Sequence, residues 1–380
     1  MRVSATKTSQ RVERNIYLTS KRIKGYGLNN DYPQKVLEIL NSSGTGKSCY
    51  DIHVRFTSGG GFIDPALNDY VVNEKGERAS TLLRKLSKDL KAFNGFAVLV
   101  KYDFLGNPVE YYNVPFEHCR LEILPNKSYS GRIAVYPDWT GVTGQTFRQQ
   151  DVKFINRFDP EMVLSQIVEA GGPALYLGQI YYYTSDGDLE YPTAPFDPVI
   201  TDMLTEEAVS TVKHRNTKYN FLPAGILVRK GKKSVLNDKG QLDMNDPYNQ
   251  AQEESRNWLV KAQGDENASK MWIVDVDADE EKPEFIPFEA KNLDKQYENT
   301  EPTVKENIAG MFMVPPVLRG IDVGAGFGSE LFEQAYNFMN SITGDDRNAL
   351  STVFMDLLPQ FTDFAIKPLK YIDESTGSQG

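Results

Sequence analysis

The segment from Val314 to Gly328 holds two prolines and four glycines in 15 residues, so it cannot continue the helices written on either side of it. Before it, Val304, Ile308, Met311 and Phe312 recur at helical spacing, with Thr300, Glu301 and Pro302 reading as the helix start. After it, Ser329 caps a helix to Ile342 that breaks at Gly344, and a further helix covers Asn348 to Leu358. The irregular stretch between them is stiff at its proline end and permissive at its glycine end.

The rest of the chain alternates between two periodicities. Asp31 to Leu40 starts an ordered body, with Asp31 as cap, Pro33 in the first turn and Val36, Leu37 and Leu40 as an apolar stripe. Ala79 to Phe93 is an amphipathic helix whose Leu82, Leu83, Leu86, Leu90 and Phe93 share one face. The period then changes to two: Phe96–Tyr102 and Pro108–Val114 flank Gly106–Asn107 as a hairpin. A second hairpin is expected from Gln179–Tyr183 and Leu189–Tyr191, turning at Asp186–Gly187. Asp197–Pro198 opens a long helix with cations Lys213, Arg215 and Lys218 near its end. Strands at Gly225–Arg229, Met271–Val276 and Glu284–Phe288, with a helix from about Pro247 to Gln263, make 224–289 an inserted subdomain. The pattern is α+β.

The formal net charge is −10, from 42 Lys and Arg against 52 Asp and Glu, which argues against a protein that grips nucleic acid. The distribution is uneven. Residues 1–30 read as a basic arm, with seven Lys or Arg against one Glu from Met1 to Lys24. From Thr211 to Lys233 there are seven basic residues and no acid, whereas Lys270 to Glu301 carries ten acids against four lysines. A loop gains nothing by concentrating like charge, so Arg229, Lys230, Lys232 and Lys233 point to an anionic partner or a neighbouring subunit. Cys49 and Cys119 cannot build a disulfide framework, and His53, His118 and His214 are scattered, so no metal site, cofactor or catalytic constellation is expected. Nor is a signal peptide or a membrane span expected.

Gly44 to Ser48 (GTGKS) offers the one nucleotide-binding alternative. Position 41 is Asn where the phosphate loop needs Gly, Val36–Leu40 ahead reads as helix, and Cys49–Phe56 behind reads as extended, inverting the order that motif requires.

The stretch Ile308–Phe338 resembles the portal proteins of tailed bacteriophages and prophages. Ile308, Ala309, Phe312, Val314, Pro315, Pro316, Leu318 and Gly320 carry the likeness, followed by Glu333, Gln334, Ala335 and Phe338. Asp197–Pro198, leading to Phe221, Pro223, Gly225 and Leu227, is similar to their stem helix entering the clip, and Gly27–Leu40 with Ser43–Cys49 to their N-terminal region. The resemblance implies a portal fold: basic arm 1–30, β-rich wing 31–196, stem helix 197–223, small α/β clip 224–289, returning stem helix 290–312, tunnel loop 313–328, wing or crown helices 329–366 and flexible tail 367–380, which leaves room for a small crown only. It also implies a non-enzymatic ring, usually dodecameric, at a capsid vertex of the virion, assembled in the host cytoplasm. Its partners would be the terminase large subunit, adaptor and neck proteins, capsid or scaffold protein, and double-stranded DNA passing through the channel. Leu318, Arg319, Asp322 and Phe327 would face that DNA, and Arg229, Lys230, Lys232 and Lys233 would dock partners at the clip. Another ring-forming virion component, an adaptor or tail hub, is the remaining alternative.

Overall fold

The computed structural model describes residues 16–139, 148–185, 191–218, 225–230, 235–237, 243, 245–247, 249–250, 272–276, 284–287, 293–321 and 329–372. They fall into two compact units, one of residues 1–203 with 307–380, the other of 204–306.

The first unit is built on an eight-stranded sheet. Its strands are β1 (Tyr17–Leu18), β2 (Ile23–Lys24), β3 (Gly95–Tyr102), β4 (Pro108–Val114), β5 (Cys119–Ile123), β6 (Tyr129–Val135), β7 (Lys153–Arg157) and β8 (Gln179–Thr184). They lie in the order β1-β2-β5-β6-β7-β8-β3-β4, and every pairing is antiparallel except β7 with β8. The helices are α1 (Tyr32–Ser42), α2 (Gly44–Ser58), α3 (Pro65–Asp69), α4 (Ala79–Phe93) and α5 (Val163–Glu169). Helix α6 (Ile200–Lys218) carries the chain out of this unit and α7 (Leu293–Met311) carries it back, followed by α8 (Ser329–Ile342) and α9 (Gly344–Leu357).

The leucine stripe of α4 faces the core as its spacing demands. Leu82, Leu83, Leu86 and Leu90 pack with Phe96, Val98 and Val100 of β3 and with Leu350, Val353, Phe354 and Leu357 of α9. Burying each such side chain stabilises the fold by roughly 1.5–3 kcal/mol relative to exposure. Two hydroxyls fasten the sheet to α9: Tyr111 donates to the Leu357 carbonyl at 2.6 Å and Tyr181 to Asp356 at 2.8 Å.

In the second unit, β9 (Gly225–Lys230) lies between β10 (Trp272–Val276), parallel to it, and β11 (Glu284–Pro287), antiparallel. Glu301 of α7 receives both Lys213 of α6 and Lys305, which hold its carboxyl down at about 2. Lys213 meets Glu301, and the β9–β10 register sets Arg229 opposite Asp275.

Several local expectations are corrected. Cys49–Phe56 is helical, inside α2, because Cys49, Tyr50, His53, Val54 and Phe56 are all buried there at helical spacing. Gln179–Thr184 pairs with β3 along its length and with β7 at Gln179 and Ile180, whereas Asp186–Gly187 and Leu189–Glu190 of the expected second hairpin lie outside the described residues. Pro302 lies within α7, which starts at Leu293. Tyr17–Lys24, expected in the basic arm, instead folds into β1 and β2 and joins β5; residues 1–15 lie outside the described residues. Lys367–Tyr371, expected in the tail, is fastened: Gly60 N–H donates to the Lys367 carbonyl at 2.8 Å and Tyr371 stacks on Phe332.

Candidate functional site

The proline- and glycine-rich segment begins where α7 returns to the first unit. Ile308, Ala309 and Phe312 are buried, and Val314 N–H reaches back to the Ala309 carbonyl at 3.2 Å, closing the helix. Met313 adopts a left-handed φ of 49° to make that closure, a conformation costly for a residue with a side chain. Pro315 then starts a 3-10 turn, Pro316–Arg319, which ends at Gly320 with φ 75°. Gly320 N–H bonds the Val317 carbonyl at 3.2 Å and Ile321 N–H the Pro316 carbonyl at 3.1 Å. Among the described residues of a segment whose composition excludes an α-helix, this turn is the one piece of regular structure.

The root of the segment is fixed from two sides. His53 of α2 donates its Nε2–H to the Phe312 carbonyl at 2.5 Å, and that bond defines the tautomer, since a carbonyl can only accept. Burial lowers the His53 pKa below its ordinary value, so the neutral imidazole is the form held. Phe196, fully buried ahead of α6, stacks on Phe312 at 5.6 Å. Val317 anchors the turn beneath, whereas Met313 and Ile321 are exposed. Leu318 and Arg319 lie together on the turn, half-buried, and the Arg319 Nε is enclosed without a hydrogen-bond partner among the described residues. Asp322 and Phe327 lie outside the described residues.

Of the expected docking residues, Arg229 and Lys230 are on β9 of the second unit, and Lys232 and Lys233 lie outside the described residues. The structure contradicts a phosphate loop at Gly44–Ser48. Those residues are the first turn of α2, preceded by helix α1 rather than by a strand. Ser43 Oγ already accepts from Gly46 N–H at 2.9 Å, and a Cβ at Gly46 would lie 2.8 Å from Met203 Cε, so the backbone is packed where phosphate would have to sit. Lys47 pairs instead with Asp51 at 3.0 Å. Among the described residues no three His, Cys, Asp or Glu side chains converge, and no helix is long and apolar enough to cross a membrane.

A second feature, with no counterpart in the sequence pattern, lies just ahead of α6. Arg120 of β5 is fully buried and forms no ion pair with a described residue. Its guanidinium donates to Asn30 Oδ1 at 2.5 Å, to the Asn30 carbonyl at 2.9 Å and to the Glu117 and Cys119 carbonyls at 3.0 and 2.8 Å. The ring faces of Tyr26 and Trp139 lie 5.5 and 5.3 Å away. Burial lowers its pKa, and the Tyr191 and Tyr26 phenols oppose that shift. Tyr26 stacks on Tyr191 at 4.2 Å, while Tyr32 donates to Asp197 at 2.8 Å and accepts from Ala194 N–H at 3.0 Å. Asp197 thus receives a phenol, and Phe196 is the N-cap of the 3-10 turn Asp197–Val199 that leads into α6. The cluster fixes where the chain enters α6.

Searched by its sequence, the chain matches no protein family and no curated protein. By its fold it is similar to a chain in the virion of a native gene transfer agent particle, at a TM-score of 0.50 and 15% identity, covering 88% of this chain and 83% of that one. It is also similar to a chain in the neck of an empty gene transfer agent particle (TM-score 0.49, 15% identity, 90% and 85% covered). A third likeness is to an HK97-family phage portal protein from Corynebacterium diphtheriae (TM-score 0.37, 12% identity, 78% and 83% covered). The first of these likenesses establishes a common fold with a virion protein, and no more than the fold.

Proposed function

We propose that the chain is a portal subunit, assembling as a ring through which double-stranded DNA enters and leaves a particle. The observation that carries this reading is the fold shared with a gene-transfer-agent virion chain over most of both lengths. The order helix, proline-glycine turn, helix is the segment that carries the resemblance to phage portals. In this reading Leu318 and Arg319 face the channel, with Asp322 and Phe327 beyond them, and the turn shifts on its pinned root as DNA slides past. The net charge of −10 suits such a channel, because an acidic lumen repels phosphate and keeps DNA from sticking. ATP hydrolysis belongs to a separate terminase, and the chain has no chemistry of its own.

Within the second unit residues 224–289 are the clip, where Arg229, Lys230, Lys232 and Lys233 meet terminase, adaptor or neck proteins; α6 and α7 are the stem helices, and residues 31–196 are the wing against capsid or scaffold protein. Negative-stain microscopy of the purified protein tests the reading. Rings with an axial channel are expected, usually of twelve subunits, and a stable monomer would contradict it. Replacing Lys230, Lys232 and Lys233 by Glu is expected to leave the rings intact and abolish packaging or neck attachment. Unchanged packaging and attachment would remove the docking assignment and favour an adaptor or tail hub.

A further inference from the structure

The tip of the β3–β4 hairpin and the segment around α5 form an apolar surface that the fold itself does not use. Phe104, Leu105, Leu164, Val168, Leu175 and Leu177 are between 45% and 79% exposed. The surface is continuous. A Cβ at Gly106 would lie 2.9 Å from Leu164 Cδ2, so the hairpin tip rests directly on α5, and Leu175 folds back onto Gly171. Below it, Tyr176 donates to Gln166 at 2.8 Å and the buried Gln179 amide binds the same oxygen at 3.0 Å, which fixes the segment after α5 against the sheet. Six large apolar side chains left open on neighbouring segments are the kind of exposed patch that marks an interaction surface.

The surroundings are acidic. Asp103 stands in the hairpin tip with its carboxyl held below its ordinary value by Asn107, and Asp159 to Gly178 contains Asp159, Glu161 and Glu169 with no Lys, Arg or His. The opposite end of the same sheet has the complementary character. There β2 carries Lys24 and the turn between β1 and β2 carries Lys21, and Lys24 and Lys127 place their ammonium groups 6.0 and 5.4 Å from the Tyr17 ring. Tyr17 and Leu124 are 45% and 42% exposed beside those cations.

A closed ring of identical chains needs two different surfaces on each copy that fit one another, whereas a two-fold dimer needs one self-complementary surface. This sheet offers such a pair at its two ends: an apolar patch with an acidic rim, and an aromatic edge with a basic rim. We propose that the β3–β4 tip with α5 is the subunit contact of the ring, and that it receives the β1–β2 edge of a second copy of this chain. This inference rests on the ring reading above and adds the surfaces that build the ring.

Mass photometry of four proteins tests it. The unaltered chain is expected to form rings, and the double variant Leu164→Asp with Val168→Asp to run as a folded monomer. Glu161→Lys with Glu169→Lys is expected to raise the concentration at which rings dissociate by at least about tenfold, and adding Lys24→Glu with Lys127→Glu to reverse most of that loss. All of these positions except the half-buried Lys24 are exposed, so the charge exchange still decides the matter should the aspartate variant fail to fold. Rings that persist in the aspartate variant overturn the proposal alone, and if particle incorporation is then lost the surface belongs to another partner. Failure of the lysine-to-glutamate changes to restore rings removes the β1–β2 edge as the receiving surface. Monomers of the unaltered chain overturn the ring reading and this proposal with it.

Discussion

The Arg120 cluster and the turn from Met311 to Ile321 solve opposite problems with the same means. Around Arg120 the hydrogen-bonding arms of a buried cation are spent on the Asn30, Glu117 and Cys119 carbonyls and on the side-chain oxygens of Asn30 and Gln34, and aromatic faces enclose it. Such a group tolerates no displacement, because each lost partner leaves a desolvated charge. The turn is treated differently. Its root at Phe312 is bonded and stacked, but its outer residues Met313 and Ile321 stand in solvent, and its own hydrogen bonds are short-range, within the turn and back to the end of α7. One region fixes the path of the chain into α6, and the other fixes only where a presented segment begins.

The largest effect is expected at the fixed region. Arg120→Ala strands the Asn30, Glu117 and Cys119 oxygens in a dry core and should cost about 3–5 kcal/mol, lowering the melting temperature by on the order of 10 °C. A loss below about 1 kcal/mol would break the contrast, because the cluster would then be no more than packing.

An intermediate effect is expected at the root of the turn. His53→Ala leaves the Phe312 carbonyl unbonded and should cost about 1–3 kcal/mol in thermal or denaturant unfolding. Its pH dependence has a definite sign. The folded-state pKa lies below that of the unfolded chain, so the unfolded chain takes up the proton first. The stabilisation is complete above the ordinary histidine value of about 6.5 and is lost as pH falls below it. The difference between the parent and His53→Ala should therefore shrink on acidification, and a difference independent of pH would remove His53 from the account.

The smallest effect is expected at the outer end. Gly320 has a φ of 75° and open space where a Cβ would be, so Gly320→Ala meets no clash and bears only the backbone cost, about 1 kcal/mol. A cost equal to that of Arg120→Ala would mean that the turn is held as firmly as the cluster.

What was legible in the sequence was local. The α4 stripe, the β3–β4 hairpin and the strands of the second unit follow from spacing and turn residues a few positions apart. Cys49–Phe56 alternates apolar and polar residues well enough to read as extended, and only its packing in α2 decides for a helix. Pro302 has the look of a helix start, yet it lies inside α7, where Glu301 is gripped by Lys213 from 88 residues away. The candidate site was half visible. Proline and glycine announced the turn, but His53 lies 259 positions from Phe312, and Arg120 reaches Asn30 across 90. No periodicity encodes pairs at such distances. The exposed surface at Phe104 and Val168 escaped for a related reason, since single apolar residues in loops look ordinary until the fold brings them together.

Hydrogen–deuterium exchange of the dissociated subunit tests the contrast between the two regions most directly. The Tyr26 and Leu121 amides, bonded to Asn30 Oδ1 at 2.9 Å and to the Tyr191 hydroxyl at 2.7 Å, should exchange at least about a thousandfold more slowly than those of Gly320 and Ile321. Protection of the two sets to the same degree would contradict the account, because the segment after Phe312 would then be part of the frame and not something the frame presents.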